Sequence, residues 1–127
     1  FFPRDLNTKS DPDSIATISS NQITLGAGTY YFTWSCPIWR ASRHQTVLYD
    51  ITGAAVLIPG SSEYSYNASD NFIVTRSMGS FVHTITSNNV YEIRHRVSVA
   101  KSTDGLGVDS NMGVNSVFSI VIINKLK

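Results

Sequence analysis

The sequence has one cysteine and few charged residues. Cys36 is the only cysteine among 127 residues, so neither a disulfide within the chain nor a zinc site built from several cysteines can form. Charged residues make up 15% of the chain and hydrophobic residues 42%, which excludes a strongly solvated disordered chain. The net charge of +1 gives no long-range field to gather phosphates, so we expect no nucleic-acid partner.

Long apolar runs and helical patterns are also missing. No apolar run approaches the roughly 20 residues that a membrane-spanning helix needs, so we expect no membrane insertion. The opening segment lacks the basic start and apolar run of a signal peptide, and a chain that opens on Phe1 indicates missing upstream sequence. The length fits one domain.

The chain divides into a polar segment and a β-rich domain. Residues 1–14 contain two prolines and three aspartates and predict a linker or an N-terminal pairing segment. Residues 15–127 offer short β-rich runs separated by Gly, Asn and Ser, which is typical of an all-β sandwich or barrel. The predicted strands are 15–19, 22–25, 29–35, 44–51, 54–58, 63–66, 72–76, 80–86, 90–100 and 116–126. Turns are predicted at 26–28, 53, 59–60, 88–89 and 104–107, and "GSS" (60–62) and "MGS" (78–80) also read as turns.

Alternation along the strands predicts which side chains face the core. Successive strand residues point to opposite faces, so 30, 32, 34 and 36 share one face, which is strongly apolar. In "VYEIRHRVSV" (90–99), the alternate residues Tyr91, Ile93, His95, Val97 and Val99 share a core face, whereas the acid and the arginines lie on the other. The run "IVII" near the end does not alternate, which predicts burial on both faces and hence an oligomer.

The three histidines leave two chemical alternatives open. His44, His83 and His95 lie on three predicted strands, so a serine–histidine–acid arrangement or a three-histidine metal site is conceivable. The sequence has no G-x-S-x-G elbow and no H-x-H or H-E-x-x-H spacing. The interpretation we favour makes His95 a core histidine bonded to a neighbour, with His44 and His83 at strand ends. We therefore expect no catalytic residue, metal or cofactor.

Two sets of residues are candidates for contacts with partners. Arg94 and Arg96 could bind an anion, but Glu92 on the same face favours pairing between strands or subunits. Trp39, Arg40, Tyr64 and Tyr66 lie near predicted loops or strand ends. Aromatic residues in such places often anchor sugars or protein partners, although the face of "EYSY" could simply cover the core.

Three motifs follow one another from about Ile23 to the end: "LGAGTYYFTWS", "SFVHTITSNNVYEIRHRV" and "SVFSIVII". Their order resembles the trimeric jelly roll of tumour-necrosis-factor-like domains and complement-type globular heads. In that family they are similar to the G-x-Y-x-F strand, to the paired strands with a short polar turn, and to the closing strand. "RHQTVLYDITG", "GSSEYS" and "STDGLGVDSNMG" are more similar to jelly rolls at the ends of phage tail fibres and related virion proteins. No segment matches the calcium-binding acid clusters of some complement-type heads.

The resemblance implies a jelly-roll β-sandwich assembled as a homotrimer. It also implies an inner sheet that contains "TYYFTWS", "VYEIRHRV" and the terminal strand, with one face on the core and one on the threefold axis. The candidate trimer-interface residues are Tyr31, Glu92, Arg94, Arg96 and Ile122.

The function that this reading predicts is non-enzymatic. We expect the receptor-binding tip of a phage tail fibre or similar virion appendage, which contacts a host-surface glycan or protein through Trp39, Arg40, Tyr64 and Tyr66. Three weak sites on one tip gain avidity. The alternatives are a structural trimerisation or head-decoration domain of a virion, and a secreted complement-like adhesin.

Overall fold

The computed structural model describes residues 2–68, 73–101 and 105–127, and these residues form nine strands and no helix. The strands are β1 (Phe2–Pro3), β2 (Ala16–Ser19), β3 (Gln22–Leu25), β4 (Gly28–Trp39), β5 (Ser42–Asp50), β6 (Ala55–Ser65), β7 (Val74–Ile85), β8 (Asn89–Val97) and β9 (Ile120–Lys125). The prediction of an all-β protein is therefore confirmed. In this part of the chain there is no helix long and apolar enough to cross a membrane.

The strands form two antiparallel sheets. The large sheet has the order β2-β3-β8-β5-β6, with β1 paired to β8 as an added strand, and the small sheet has the order β7-β4-β9. Side chains from β3, β5 and β8 of the large sheet meet those of β4 and β7 of the small sheet in one hydrophobic cluster. This two-layer arrangement is a β-sandwich.

The inward faces of β4 and β8 form much of the core, as their alternation predicts. In β4 the alternate residues 30, 32, 34 and 36 are all buried, and in β8 so are 91, 93 and 95. The rings of Phe32 and Tyr91 lie edge to face with centroids 5.7 Å apart, so they join the two sheets directly. Burial of such rings stabilises the fold by about 25 cal/mol per Å² removed from water.

Trp34 adds a polar link between the sheets. Its indole Nε1 donates to Thr46 Oγ1 of β5 over 2.8 Å, and Thr46 Oγ1 lies 2.8 Å from Ser77 Oγ of β7. Ser77 Oγ in turn donates to the Ser61 carbonyl over 2.7 Å. Because every hydroxyl here has a partner, the network can be buried without an orphaned polar group.

Two pairs of predicted short strands are each one long strand, so the turns predicted at 59–60, at "GSS" and at "MGS" are wrong. Pro59 is tolerated because β6 is an edge strand, with a shift in its register against β5 at this point. A Cβ at Gly60 would lie 2.3 Å from Thr46 Oγ1, and one at Gly79 would lie 2.1 Å from the indole of Trp34. These glycines therefore permit close packing inside strands rather than chain reversal. Phe72 and Asp104, which belong to a predicted strand and a predicted turn, lie outside the described residues.

One further prediction about the sheets is wrong, and another is left open by a single chain. The strand β8, which carries "VYEIRHRV", lies in the large sheet and not beside β4 and β9. Within the single chain the run "IVII" is covered on one face: Val121 and Ile123 pack against the core, whereas 54% of Ile122 is exposed. Burial of its second face would need an oligomer and stays a prediction. Strand alternation explains this pattern, because β9 has one face toward the sandwich and one away from it.

Candidate functional site

The four residues predicted to bind a receptor come together at one end of the sandwich. Trp39 ends β4, Tyr64 lies near the end of β6, and Tyr66 follows that strand. The backbone N–H of Arg40 donates to Ser65 Oγ over 3.0 Å, which ties the end of β4 to the residue between the two tyrosines. The Arg40 guanidinium lies 5.1 Å from the centre of the Trp39 ring. We call Trp39, Arg40, Tyr64, Tyr66 and the neighbouring Arg43 the loop-end cluster.

A short connection between the sheets positions Arg40. Only Arg40 and Ala41 separate β4 of the small sheet from β5 of the large sheet. The backbone is left-handed at Arg40 (φ 54°) and at Ser42 (φ 57°), a conformation that is uncommon for residues other than glycine. Ala41 is buried and its carbonyl accepts from the Val99 N–H over 3.1 Å. The tight corner thus holds Arg40 partly exposed while its neighbour Ala41 is anchored in the interior.

The two tyrosines form an exposed aromatic pair. Tyr64 is 52% exposed and Tyr66 is 59% exposed, and their ring centroids are 6.4 Å apart with a tilt of 35°. The alternative prediction, that these tyrosines pack over the core, is wrong because both rings are exposed. Arg43, an exposed residue of β5, lies directly opposite Tyr64 in the register between β5 and β6. Arg43 precedes the predicted strand 44–51, so the sequence pattern does not assign it to this site, whereas the pairing of β5 with β6 does.

The loop-end cluster carries positive charge without a carboxylate partner. Within the described residues, neither Arg40 nor Arg43 forms an ion pair, and Arg40 Nε is shielded from solvent with no hydrogen-bond partner. Glu63, the acid next to Tyr64 in sequence, lies opposite His44 in the register, and its charge acts on that histidine. The cluster therefore combines exposed aromatic surface with two uncompensated guanidinium groups.

A buried polar chain runs beneath this end of the sandwich. Arg4 Nη1 lies 3.4 Å from His95 Nδ1, His95 Nε2 lies 2.9 Å from His44 Nδ1, and His44 Nε2 lies 2.7 Å from Thr75 Oγ1. Because a guanidinium can only donate, His95 carries its proton on Nε2 and donates to His44, which then donates from Nε2 to Thr75. The prediction that His95 is a bonded core histidine is confirmed, and its partner is His44.

The hydrogen bonds from Arg4 to Thr75 run in the wrong direction for a nucleophile and its general base. The Thr75 hydroxyl accepts a proton from His44, whereas an activated nucleophile would give its proton to the imidazole. Burial lowers the pKa of His44 to about 4, with the charge of Arg4 adding to the effect against the charge of Glu63. An imidazole with that pKa is a weak proton acceptor at neutral pH.

Arg4 anchors the N-terminal segment, a role that the sequence pattern did not indicate. Only 1% of Arg4 is exposed. Its guanidinium donates to Ser119 Oγ over 2.8 Å, to the Pro37 carbonyl over 3.1 Å and to the Leu106 carbonyl over 2.9 Å. These acceptors come from β4 and from the long connection between β8 and β9. A single polar residue in a polar segment gives no periodic signal, so only the fold reveals it.

The outward face of the small sheet is a second candidate surface. Its register forms three rows across β7, β4 and β9: Val82 beside Tyr31 and Asn124, Ser80 beside Thr33 and Ile122, and Met78 beside Ser35 and Ile120. Both Met78 and Val82 are 55% exposed, and the two isoleucines are exposed as well. Side chains of this size seldom form a continuous exposed group on a monomer unless something covers them.

The predicted trimer-interface residues lie on both sides of the sandwich. Tyr31 and Ile122 belong to the apolar face of the small sheet, whereas Glu92, Arg94 and Arg96 lie on the outward side of the large sheet. Arg94 Nε forms an ion pair with Glu92 Oε1 in the same strand, and its guanidinium stacks 3.4 Å from the centre of the Tyr49 ring. The two sets therefore cannot form one continuous patch within a chain.

A cleft separates the open edges of the two sheets. It has a volume of about 790 Å³ and is lined by side chains of β2, β3 and β9 together with residues 4–11 and 115–119. Most of the contacts around it are apolar, with Ile18, Ile23 and Phe118 among them. Arg4 lines both this cleft and the buried polar network, whereas His44 and His95 do not line the cleft.

Neither a cluster of metal ligands nor a known relative identifies the site. Among residues 2–68, 73–101 and 105–127, no three His, Cys, Asp or Glu side chains come together in a way that could hold a metal ion. The sequence matches no known protein-family model, and no curated protein matches it either.

Proposed function

We propose that this chain is the trimeric, non-enzymatic receptor-binding tip of a phage tail fibre or similar virion appendage, and that its β-sandwich is a jelly roll of the tumour-necrosis-factor-like kind. The strand pairing supports the jelly roll. The pairs β5–β6, β4–β7 and β3–β8 are nested, each enclosing the one before it along the chain. Such nesting, divided between two sheets, is what a double Greek key produces.

The apolar face of the small sheet supports self-assembly. Ile122 lies in its middle row and Tyr31 in the row beside it, and the exposed Met78 and Val82 extend the face along β7. Three copies that pack these faces around a threefold axis would bury the second face of "IVII", which a single chain leaves open. The large sheet supplies no comparable face, because Arg94 is already paired with Glu92 and stacked on Tyr49. The interface of the proposal is therefore the small sheet alone.

One observation carries the attachment role: the end of β4, with Trp39 and Arg40, is hydrogen-bonded to Ser65 between Tyr64 and Tyr66, while the apolar face lies along the middle of β4. The strand β4 contributes Trp39 to the first surface and Tyr31 to the second. A trimer built on the middle of β4 would leave the loop-end cluster at the surface of each subunit. Three such clusters on one tip would bind a host surface with avidity even if each contact is weak.

Attachment to host cells tests the proposal. The purified chain, labelled with a fluorophore, should bind host cells to which the intact appendage attaches, and excess unlabelled chain should compete with the appendage. Replacement of Tyr64 and Tyr66 by alanine should abolish cell binding, whereas Val56→Ala, an exposed change elsewhere on β6, should not. A chain that trimerises yet never binds those cells would instead be a structural trimerisation domain.

A further inference from the structure

The loop-end cluster has a chemical character that narrows the class of its ligand. We propose that it binds a carboxylate-bearing saccharide, with Arg40 and Arg43 holding the carboxylate and the rings of Tyr64 and Tyr66 stacking on the sugar. This inference rests on the proposed attachment function and names the receptor chemistry for it. It follows from charge, from an unsatisfied donor and from the shape of the aromatic pair.

The charge at the cluster selects an anion. Arg40 and Arg43 have no carboxylate partner among the described residues, in contrast to Arg94, which is neutralised by Glu92 in the same sheet. The net charge of the chain is only +1, so these two guanidinium groups are a local feature rather than part of a basic surface. Arg43 lies opposite Tyr64, and the Arg40 backbone is bonded to Ser65 between the two tyrosines. A planar guanidinium matches the two oxygens of a carboxylate.

The unsatisfied Nε of Arg40 supports a ligand at this position. A shielded donor with no acceptor costs free energy in the unbound chain, and the left-handed backbone at Arg40 adds a second cost. The Trp39 ring and the Ser65 hydroxyl hold the residue in place all the same. A carboxylate that accepted from Nε together with one Nη would remove the first cost, once the groups that shield Nε move aside.

The aromatic pair favours a sugar over an extended protein surface. Tyr64 and Tyr66 are exposed and tilted by 35° with centroids 6.4 Å apart, so they offer a small, open platform instead of a deep pocket. Protein hot spots lie in well-packed apolar pockets with a dry centre, which this platform lacks. The apolar C–H face of a pyranose can lie on such rings while its hydroxyls stay in water.

Binding of defined saccharides to the purified full chain tests this inference. The probes are 3′-sialyllactose, its methyl ester and lactose, which share a sugar core but differ in charge, and the readout is backbone-amide NMR titration. We expect saturable binding of sialyllactose, with shifts at the loop-end cluster, and binding weaker by about tenfold or more for the ester and lactose. A second carboxylated probe, a glucuronic-acid disaccharide, distinguishes a general carboxylate site from one specific to sialic acid.

Matched variants complete the experiment. The double variant Arg40→Gln/Arg43→Gln and the separate variant Tyr66→Ala should each weaken sialyllactose binding by about tenfold or more. Lys127→Gln removes a positive charge at the other end of β4, where Lys127 accepts from the Thr29 N–H over 2.7 Å, and should leave binding unchanged. Thermal melting confirms that each variant is folded.

The result that overturns the inference is equal affinity for charged and neutral probes, no saturable sialyllactose binding, or full binding by the double arginine variant. Attachment of the same proteins to host cells separates the two proposals. Cell binding that survives in the arginine variant would retain the attachment function and reject the acidic saccharide. Absence of cell binding by the unaltered chain would reject the attachment function itself.

Discussion

His44 Nδ1 and His95 Nε2 lie 2.9 Å apart in the interior, on the neighbouring strands β5 and β8, with the buried Arg4 guanidinium on the far side of His95. Burial, the charge of Arg4 and the neighbouring His44 lower the pKa of His95 to about 3, and burial lowers that of His44 to about 4. Both imidazoles are therefore neutral in the folded state well below the pH at which they gain a proton in the unfolded chain.

Acid should destabilise the fold in the window set by these histidines. In the unfolded chain the two histidines gain a proton near pH 6.5, whereas in the folded chain they stay neutral down to about pH 4. The free energy of unfolding therefore has its full value above pH 6.5 and decreases as the pH falls below it. The expected slope is about 1.4 kcal/mol per pH unit for each histidine. Urea unfolding followed by circular dichroism between pH 7.5 and 4.5 measures it.

The variant His44→Gln/His95→Gln serves as the comparison. Its free energy of unfolding should depend much less on pH in the same window, whatever its absolute stability, because the slope is read within one protein. Equal slopes for the two proteins would show that other groups cause the acid sensitivity.

The contact between Trp34 and Gly79 should not tolerate a side chain at residue 79. Gly79→Ala places a Cβ 2.1 Å from the indole, so Trp34 must move and its hydrogen bond to Thr46 is disturbed. We expect a loss of about 1 to 3 kcal/mol in the free energy of unfolding. Gly26→Ala is the matched control, because its Cβ would meet only the exposed Asn88 side chain at 3.3 Å. A Gly79→Ala protein as stable as the Gly26→Ala protein would refute the packing argument.

Arg4 should be a large contributor to stability despite its place in a polar segment. Arg4→Ala leaves a cavity and three acceptors without their donor, at Ser119, Pro37 and Leu106, which should cost about 3 kcal/mol or more. Arg4→Lys should recover only part of this loss, because one ammonium cannot reproduce the fork of donors. Chemical unfolding measures all three proteins, with the exposed Arg43→Ala as control. An Arg4→Ala loss no larger than that of Arg43→Ala would contradict this role.

The ion pair between Glu92 and Arg94 should matter within a chain and not between chains. Arg94→Glu sets two acids beside each other and removes the cation from the Tyr49 ring, so we expect a modest loss of thermal stability, about 1 kcal/mol. The oligomeric state should not change. If light scattering showed the Arg94→Glu protein to be a monomer, β8 would be part of the subunit interface after all.

Local patterns predicted the parts of the fold that depend on alternation alone. The core faces of β4 and β8 follow from period-two patterning, and each is buried as predicted. The assignment of β8 to a sheet could not be predicted in the same way, because alternation tells which side chains share a face but not which strands are neighbours. Gly60 and Gly79 read as turn residues because their partners, Thr46 and Trp34, are distant in sequence.

The sequence predicted the aromatic residues of the candidate site, but only one of its two arginines. Trp39, Tyr64 and Tyr66 were identified because large aromatics beside loop residues are conspicuous in any sequence. Arg43 gains its place only from the pairing of β5 with β6. The chain from Arg4 to Thr75 joins residues up to 91 positions apart, and no local pattern announces such a contact.

The mass of the protein in solution tests the central claim of assembly through the small sheet most directly. Size-exclusion chromatography with light scattering, at micromolar concentration, should give three times the chain mass of 14.0 kDa. Ile122→Glu, which buries a charge in the proposed interface, should give a folded monomer, and Val56→Glu on the large sheet should remain trimeric. A monomeric unaltered chain, or an Ile122→Glu protein that stays trimeric, would contradict the account.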